Sequence, residues 1–261
     1  MKSTIYYFSG TGNSLYVARR LNNVIPGGTL ANMASLAKMP EIKESGDVIG
    51  LVFPVYFWDM PAFVAEFITK LKITGQPYIF GIATCGGGPG NTLHTLKRMI
   101  KGKGQKLSAG FILDMPSNAY VGFDLMTPKA EWKQMLETSE KRLAEASEVI
   151  AKREISPVPG RRSAIVSAVT RVMQAGATKG YNLPRHYKTN ERCNGCGICE
   201  RICPTANIKV TDKNVSWGDN CAYCQACFHW CPLQAIQLNR KTEKVPRYQH
   251  PQIVVKDMLM R

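Results

Sequence analysis

The 261-residue sequence predicts an α/β protein: a doubly wound, five-stranded parallel sheet, followed by a small α+β domain built around bound metal. Three observations carry this. Apolar runs rich in β-branched and aromatic residues alternate with helix-period segments through the first half. A Gly/Ser-rich turn follows the first of those runs. Eight of the nine cysteines crowd between Cys193 and Cys231, in two copies of one short motif.

The first strand is expected at residues 3–8 (STIYYF), then the turn SGTGNS and a helix over LYVARRLNNV. A short strand is expected around residues 30–33. The run DVIGLVFPV at 47–55 precedes the helical AFVAEFITKL, and YIFGIAT at 78–84 precedes a Gly-rich loop and the helical TLHTLKRMI. KLSAGFILDM at 106–115 supplies the last strand. Near-continuous apolar strands separated by helices imply a parallel sheet covered on both faces. Residues 129–153 read as a long amphipathic helix. The prolines and glycine of SPVPGRR (156–162) break the pattern, and 163–178 form a further helical stretch with Ile165, Val166, Val169, Val172 and Met173 apolar. The expected domains are therefore 1–155, a basic helical linker at 156–188, a cysteine domain at 189–240 and a basic tail at 241–261.

No apolar run reaches the roughly 18 residues that a membrane-spanning helix needs. The N-terminus lacks the pattern of a signal peptide, so a cytoplasmic location is expected. The sequence has 34 Lys+Arg against 19 Asp+Glu, a net charge of +15. Such a charge favours acidic partners. No zinc-finger, RNP-type or helix-turn-helix pattern turns it into nucleic-acid readout, so an acidic redox partner protein is expected and nucleic acid is not.

CNGCGICERICPTANIKV (193–210) aligns with CAYCQACFHWCPLQAIQL (221–238), cysteine on cysteine and proline on proline. Each copy reads C-x2-C-x2-C-x3-C-P, the run that holds [4Fe–4S] clusters in bacterial ferredoxins, where the fourth cysteine ligates the other cluster. Cys193, Cys196, Cys199 and Cys231 are thereby assigned to one cluster, and Cys203, Cys221, Cys224 and Cys227 to a second. Zinc would not require the third cysteine and the Cys-Pro in both copies, and disulfides do not suit the expected compartment. Tyr223, Phe228, His229 and Trp230 are read as packing that keeps water from the second motif. Residues 189–240 resemble a two-cluster bacterial ferredoxin.

Ser9-Gly10-Thr11-Gly12-Asn13-Ser14 follows the first strand and opens the first helix, a geometry that offers backbone N–H groups and hydroxyls to a phosphate. It carries no Lys, against a P-loop, and its spacing fails the dinucleotide fingerprint. The N-terminal position of this loop resembles the FMN phosphate loop of the flavodoxin family, a likeness extending over residues 1–150. The resemblance implies that two more loops hold the flavin ring: Pro54, Val55, Tyr56, Phe57 and Trp58 in one, Thr84, Cys85, Gly86, Gly87, Gly88 and Asn91 in the other. Cys85 reads as a buried structural thiol. The second loop has no aromatic to sandwich the ring; Tyr120 is either a cover for that face or a packing residue.

The order of domains resembles flavodoxin–ferredoxin fusion proteins of anaerobes. That resemblance implies FMN and two [4Fe–4S] clusters, with single electrons passing between a low-potential ferredoxin-type donor, the clusters, FMN and a partner protein or small acceptor. The alternative is an FMN-dependent reductase of one organic compound (an enone, quinone or nitro compound), its pocket formed by MPSNAYVGFD. Asp59 and His94 are the acid–base candidates for that case, each also explicable as a surface or helix residue. Flavodoxins are typically acidic, and the basic charge here departs from that family.

Overall fold

A computed structural model describes residues 1–159, 163–176 and 183–259. Five strands form one parallel sheet: β1 (Ser3–Tyr7), β2 (Gly28–Asn32), β4 (Val48–Pro54), β6 (Tyr78–Cys85) and β7 (Leu107–Asp114), in the order β2-β1-β4-β6-β7. Counted along the chain within this sheet, the order is 2-1-3-4-5, that of flavodoxin-like folds. The three inner strands are buried along nearly their whole length, which is why they read as continuous apolar runs rather than alternating ones. Two three-residue strands, β3 (Ile42–Glu44) and β5 (Leu71–Ile73), pair in parallel beside the sheet. They are too short to leave a period in the sequence, and no strand is predicted there.

Helices α1 (Asn13–Val24), α3 (Ala62–Lys70), α4 (Thr92–Gly102) and α5 (Trp132–Ala151) cover the sheet, and the short α2 (Met33–Leu36) follows β2. Each long helix turns an apolar stripe inward. In α4, for example, Leu93, Leu96 and Ile100 are buried at three- and four-residue spacing. Helix α6 (Ala164–Ala175) behaves differently. Its Ser163 and Ser167 side is tied to Asn91, whose Nδ2 donates to Ser163 O at 3.1 Å and Ser167 Oγ at 2.7 Å. Ile165, Val169 and Val172 face outward instead. Residues 160–162 and 177–182 of the expected linker, the end of the expected helix among them, and 260–261 of the expected tail lie outside the described residues, as do the Val166 and Met173 side chains.

The cysteine-rich segment contributes β8 (Lys188–Thr189), α7 (Ile198–Ile202), β9 (Ile208–Thr211), β10 (Asn214–Trp217), α8 (Ala226–His229) and β11 (Ile236–Gln237). β9 pairs with β10 and β8 with β11, both antiparallel. The core of the sheet runs on into this segment through Ile202, Cys224, Ala226 and Trp230. It also takes in Ile253 and Met258 of the tail, the latter on α9 (Val255–Met258). A second core gathers Leu183, Tyr187, Phe228 and Ile236 around Tyr120. Tyr120 therefore packs inside and does not cover a cavity.

Candidate functional site: a cavity abutting one of two cysteine cradles

The strand order reverses between β1 and β4, and in open α/β sheets the ligand crevice lies at the carboxyl ends beside that point. A cavity of about 750 Å³ opens there, within the range of roughly 300–1,000 Å³ usual for small-molecule sites. Its lining includes Ser9, Gly10, Thr11, Asn13 and Ser14 after β1, residues 54–58 after β4, and residues 84–88 at the end of β6. The segment after β7 adds Met115 to Ala119. The structure thus brings the three expected loops together. Asn91 stands apart, its side chain spent on α6, and Gly12 shapes its loop from behind the lining.

The Ser9–Ser14 loop is held in place from several sides. Gly12 adopts a φ of 102°, which a residue with a Cβ enters only at a cost, and its N–H donates to Ser9 Oγ at 3.1 Å. Asn118 Nδ2 donates to Thr11 Oγ1 (2.9 Å), and the Ser14 and Thr84 hydroxyls lie 2.9 Å apart. From the tail, the His250 N–H donates to Thr11 O at 2.9 Å, and Tyr248 Oη donates to Asn13 Oδ1 at 2.6 Å. The loop opens α1, whose first-turn N–H groups have no partners within the helix and carry its positive end. Glycine, hydroxyls and a helix N-terminus suit a phosphate, while Pro54, Val55, Tyr56, Met115 and Ala119 offer apolar walls to a flat ring. FMN fits this donor set.

Phe57 and Trp58 both sit at positive φ (51° and 55°), strained for bulky residues. Trp58 Nε1 donates to Gly87 O at 3.1 Å, linking two cavity loops. Cys85 is buried and donates to Asp114 Oδ1 at 3.4 Å; burial, then Asp114, pushes its thiol up to about 12, as a structural thiol requires. Neither Asp59 nor His94 lines the cavity. Asp59 accepts the Met60 N–H at 2.7 Å, and His94 keeps Nε2 buried in α4.

All nine cysteines are unpaired. One cradle is lined by Cys193, Cys196, Cys199 and Cys231 with Ile198, Val210, Val215 and Ile236. Burial pushes the Cys199 thiol up to about 12, with Cys231, Cys196 and Cys193 close enough to push it further. Around Cys227, likewise, burial dominates and Cys224, Cys221 and Cys203 add to it. Each group thus combines three cysteines of one motif with the fourth cysteine of the other. Among the described residues, no three His, Cys, Asp or Glu side chains converge on a single ion. Backbone N–H groups point at ligand sulfurs in both: Asn207 to Cys203 and Ala235 to Cys231 at 3.2 Å, Tyr223 to Cys221 at 3.3 Å. Thiols that burial holds protonated, such as Cys199 and Cys227, give up their protons when metal binds. The residues fit [4Fe–4S] clusters.

The second cradle lies against the cavity. A Cβ on Gly10 would stand 2.5 Å from Cys224 O and 3.0 Å from Tyr56 Oη. Trp230 Nε1 donates to Gly10 O at 3.0 Å. Tyr223 and Gln225, between the second-motif cysteines, line the cavity itself. The sequence marked Tyr223 only as packing; its opposite-side role follows from a fold contact that no spacing rule reveals. His229 is fully buried, its ring bridging Asn118 O (2.8 Å) and the Tyr248 N–H (3.2 Å). Burial pulls its pKa down to about 3, so it stays neutral and donates from Nε2.

Fold and site together define the class: a sheet domain of flavodoxin-like strand order joined to a segment with two ferredoxin-type cysteine motifs. Residues 186–209 match the family model described as "4Fe-4S binding domain". The polyferredoxin protein MvhB of Methanothermobacter thermautotrophicus is 42% identical over 48 residues, 18% of this chain and 12% of that protein. Its counterpart from Methanothermobacter marburgensis is 40% identical over the same length. The chain thus spans only about an eighth of these relatives. Among solved structures, Megasphaera elsdenii flavodoxin is 21% identical with a TM-score of 0.33, covering 53% of this chain and 98% of that one. Rubredoxin oxygen:oxidoreductase of Desulfovibrio gigas is 15% identical with a TM-score of 0.35, covering 57% and 36%. Scores this low carry no argument; the fold rests on the sheet order.

Proposed function

We propose that the protein transfers electrons one at a time between two [4Fe–4S] clusters and FMN, linking a low-potential ferredoxin-type donor to a partner protein or small acceptor. The observation that carries this is the contact of the second cysteine loop with the Ser9–Ser14 loop through Gly10, Cys224 and Trp230. When bound, the clusters supply one-electron and the flavin one- or two-electron chemistry. The chain's own residues fix the order. Cys203, Cys221, Cys224 and Cys227 hold the cluster beside the cavity. Cys193, Cys196, Cys199 and Cys231 hold the outer one, where Cys196 is exposed. Residues 1–155 form the flavin domain and 189–240 the cluster domain in this reading, with 156–188 between them.

Anaerobic purification with iron, sulfide and flavin analysis tests the reading. About eight irons and one FMN per chain are expected, and both cofactors should take up electrons in a stepwise reductive titration. Zinc in place of iron, or no flavin after reconstitution, would sink it.

A second reading, reduction of one organic compound at the flavin, is favoured by the apolar rim of the cavity. Val121, Phe123, Leu125 and Leu183 line it, and Phe123 and Leu125 are exposed. Saturation kinetics with one enone, quinone or nitro compound, absent with its close analogues, would select that reading over the shuttle.

A further inference from the structure

The tail residue Arg247 is poorly explained by its protein contacts alone. Its Nη1 donates to Thr242 O (3.1 Å) and Val245 O (3.3 Å), and its Nη2 to Ile236 O (3.0 Å) and Gln237 Oε1 (3.4 Å). The guanidinium carbon lies 3.5 Å from the centre of the Phe228 ring. Its Nε is buried with no hydrogen-bond partner, and among the described residues no carboxylate pairs with it. A cation removed from water without an opposite charge is costly, and such a group ordinarily has a counter-charge nearby.

The carbonyl that Arg247 holds most closely belongs to Ile236, a wall residue of the cradle of Cys193, Cys196, Cys199 and Cys231. Burial and the neighbouring Arg192 push the guanidinium pKa down, and Cys231, one of the cysteines of that cradle, pulls it the other way. We infer that Arg247 is the fixed counter-charge of the outer cluster, standing behind Ile236 and raising that cluster's reduction potential relative to the inner one. Four thiolates around an iron–sulfur core leave a net negative charge, which grows by one when an electron enters. A positive charge held at constant distance in a medium of low dielectric favours the reduced form. The guanidinium keeps its positive charge at neutral pH although burial lowers its pKa to about 10. The outer cluster then accepts electrons from outside more readily than its exposure alone would set.

This rests on the cluster assignment proposed above, and the test separates the two. Wild-type chain, Arg247→Gln and Arg247→Lys are prepared anaerobically at full length and assayed for iron and sulfide. Each is titrated potentiometrically with EPR detection, the outer cluster being identified as the signal missing in Cys196→Ser. In Arg247→Gln the outer cluster should reduce at lower potential while the inner one holds its value, and Arg247→Lys should stay near wild type. Loss of the outer cluster in Arg247→Gln but not in Arg247→Lys supports the same conclusion. An unchanged outer potential, an equal fall in both variants, an equal fall of both clusters, or loss of cluster in both variants overturns it. Wild-type protein without iron and sulfide overturns the cluster assignment instead.

Discussion

Gly10 and two histidines show how much of this site is decided by single residues. Gly10 is where the cavity loop meets the second cysteine loop, with room for hydrogen but not for a methyl group against Cys224 O. Gly10→Ala must push one backbone off the other, at a cost of about 1–3 kcal/mol. Lower urea midpoints and faster flavin loss should appear together, with the outer cluster intact. Thr11→Ala combined with Ser14→Ala should weaken flavin retention and leave both clusters, since these hydroxyls lie in the cavity wall; equilibrium dialysis against FMN measures the change. Burial holds His250, stacked on Tyr16 at 4.1 Å, down to about 4 and His229 to about 3, against 6.5 when unfolded. The unfolded chain therefore binds more protons below pH 6.5. Their stabilisation is complete above that value and declines as pH falls toward 4. Urea midpoints measured from pH 7.5 to 5 should fall with acidity, and less steeply in His250→Phe, which keeps the stack without the titrating group. Equal slopes in the two proteins would refute the assignment.

The elements were legible in the sequence in proportion to how regular their burial is. All five sheet strands and helices α1, α3, α4 and α5 fall within a few residues of their expected places, because both sheet faces are covered and each helix has one apolar stripe. The first cysteine motif was legible as an iron–sulfur pattern because its short fixed spacing is visible in the sequence itself, and residues 186–209 match a 4Fe-4S family model. What the sequence hid depends on contacts between distant segments. Asn91 looked like a cavity residue by position, yet α6 takes its amide. Tyr120 sits between two cavity residues but turns into the second core. The tail, which carries no motif, proves to be a clamp: Ile253 enters the main core and Tyr248 Oη reaches Asn13. Tyr248→Phe removes a buried hydrogen bond and leaves Asn13 Oδ1 short of a donor, costing about 1–3 kcal/mol. Ile253→Ala opens a cavity beneath the Ser9–Ser14 loop, costing about 2–5 kcal/mol. Both variants should release flavin faster than wild type in a dilution experiment followed by fluorescence. Unchanged release with a lowered urea midpoint would show that the tail stabilises the fold without gripping the loop.

At the scale of the whole molecule, the second cradle shares a wall with the cavity through Gly10 and Cys224, while the first carries the exposed Cys196. In the proposed reading this imposes an order that a pair of independent domains would not. Cys203→Ser removes a ligand of the inner cluster and should leave the outer cluster reducible while cutting electron delivery to the flavin. Cys196→Ser should slow entry from an external donor and leave inner-cluster-to-flavin transfer intact, as rapid-mixing spectroscopy can separate. In the proposed reading the charge of +15 acts on electron entry from an acidic donor. An acidic donor protein is steered toward a basic surface over a screening length of about 10 Å at 0.1 M salt and about 3 Å at 1 M. The rate of reduction by an acidic ferredoxin should therefore fall steeply with salt, whereas an uncharged small reductant should be indifferent to it. In the proposed reading, transfer from the inner cluster to the flavin is internal to the chain and should not respond to salt with either donor. If salt slowed both donors equally, the charge would be acting on the protein's own conformation, and the basic surface would have no part in choosing the partner.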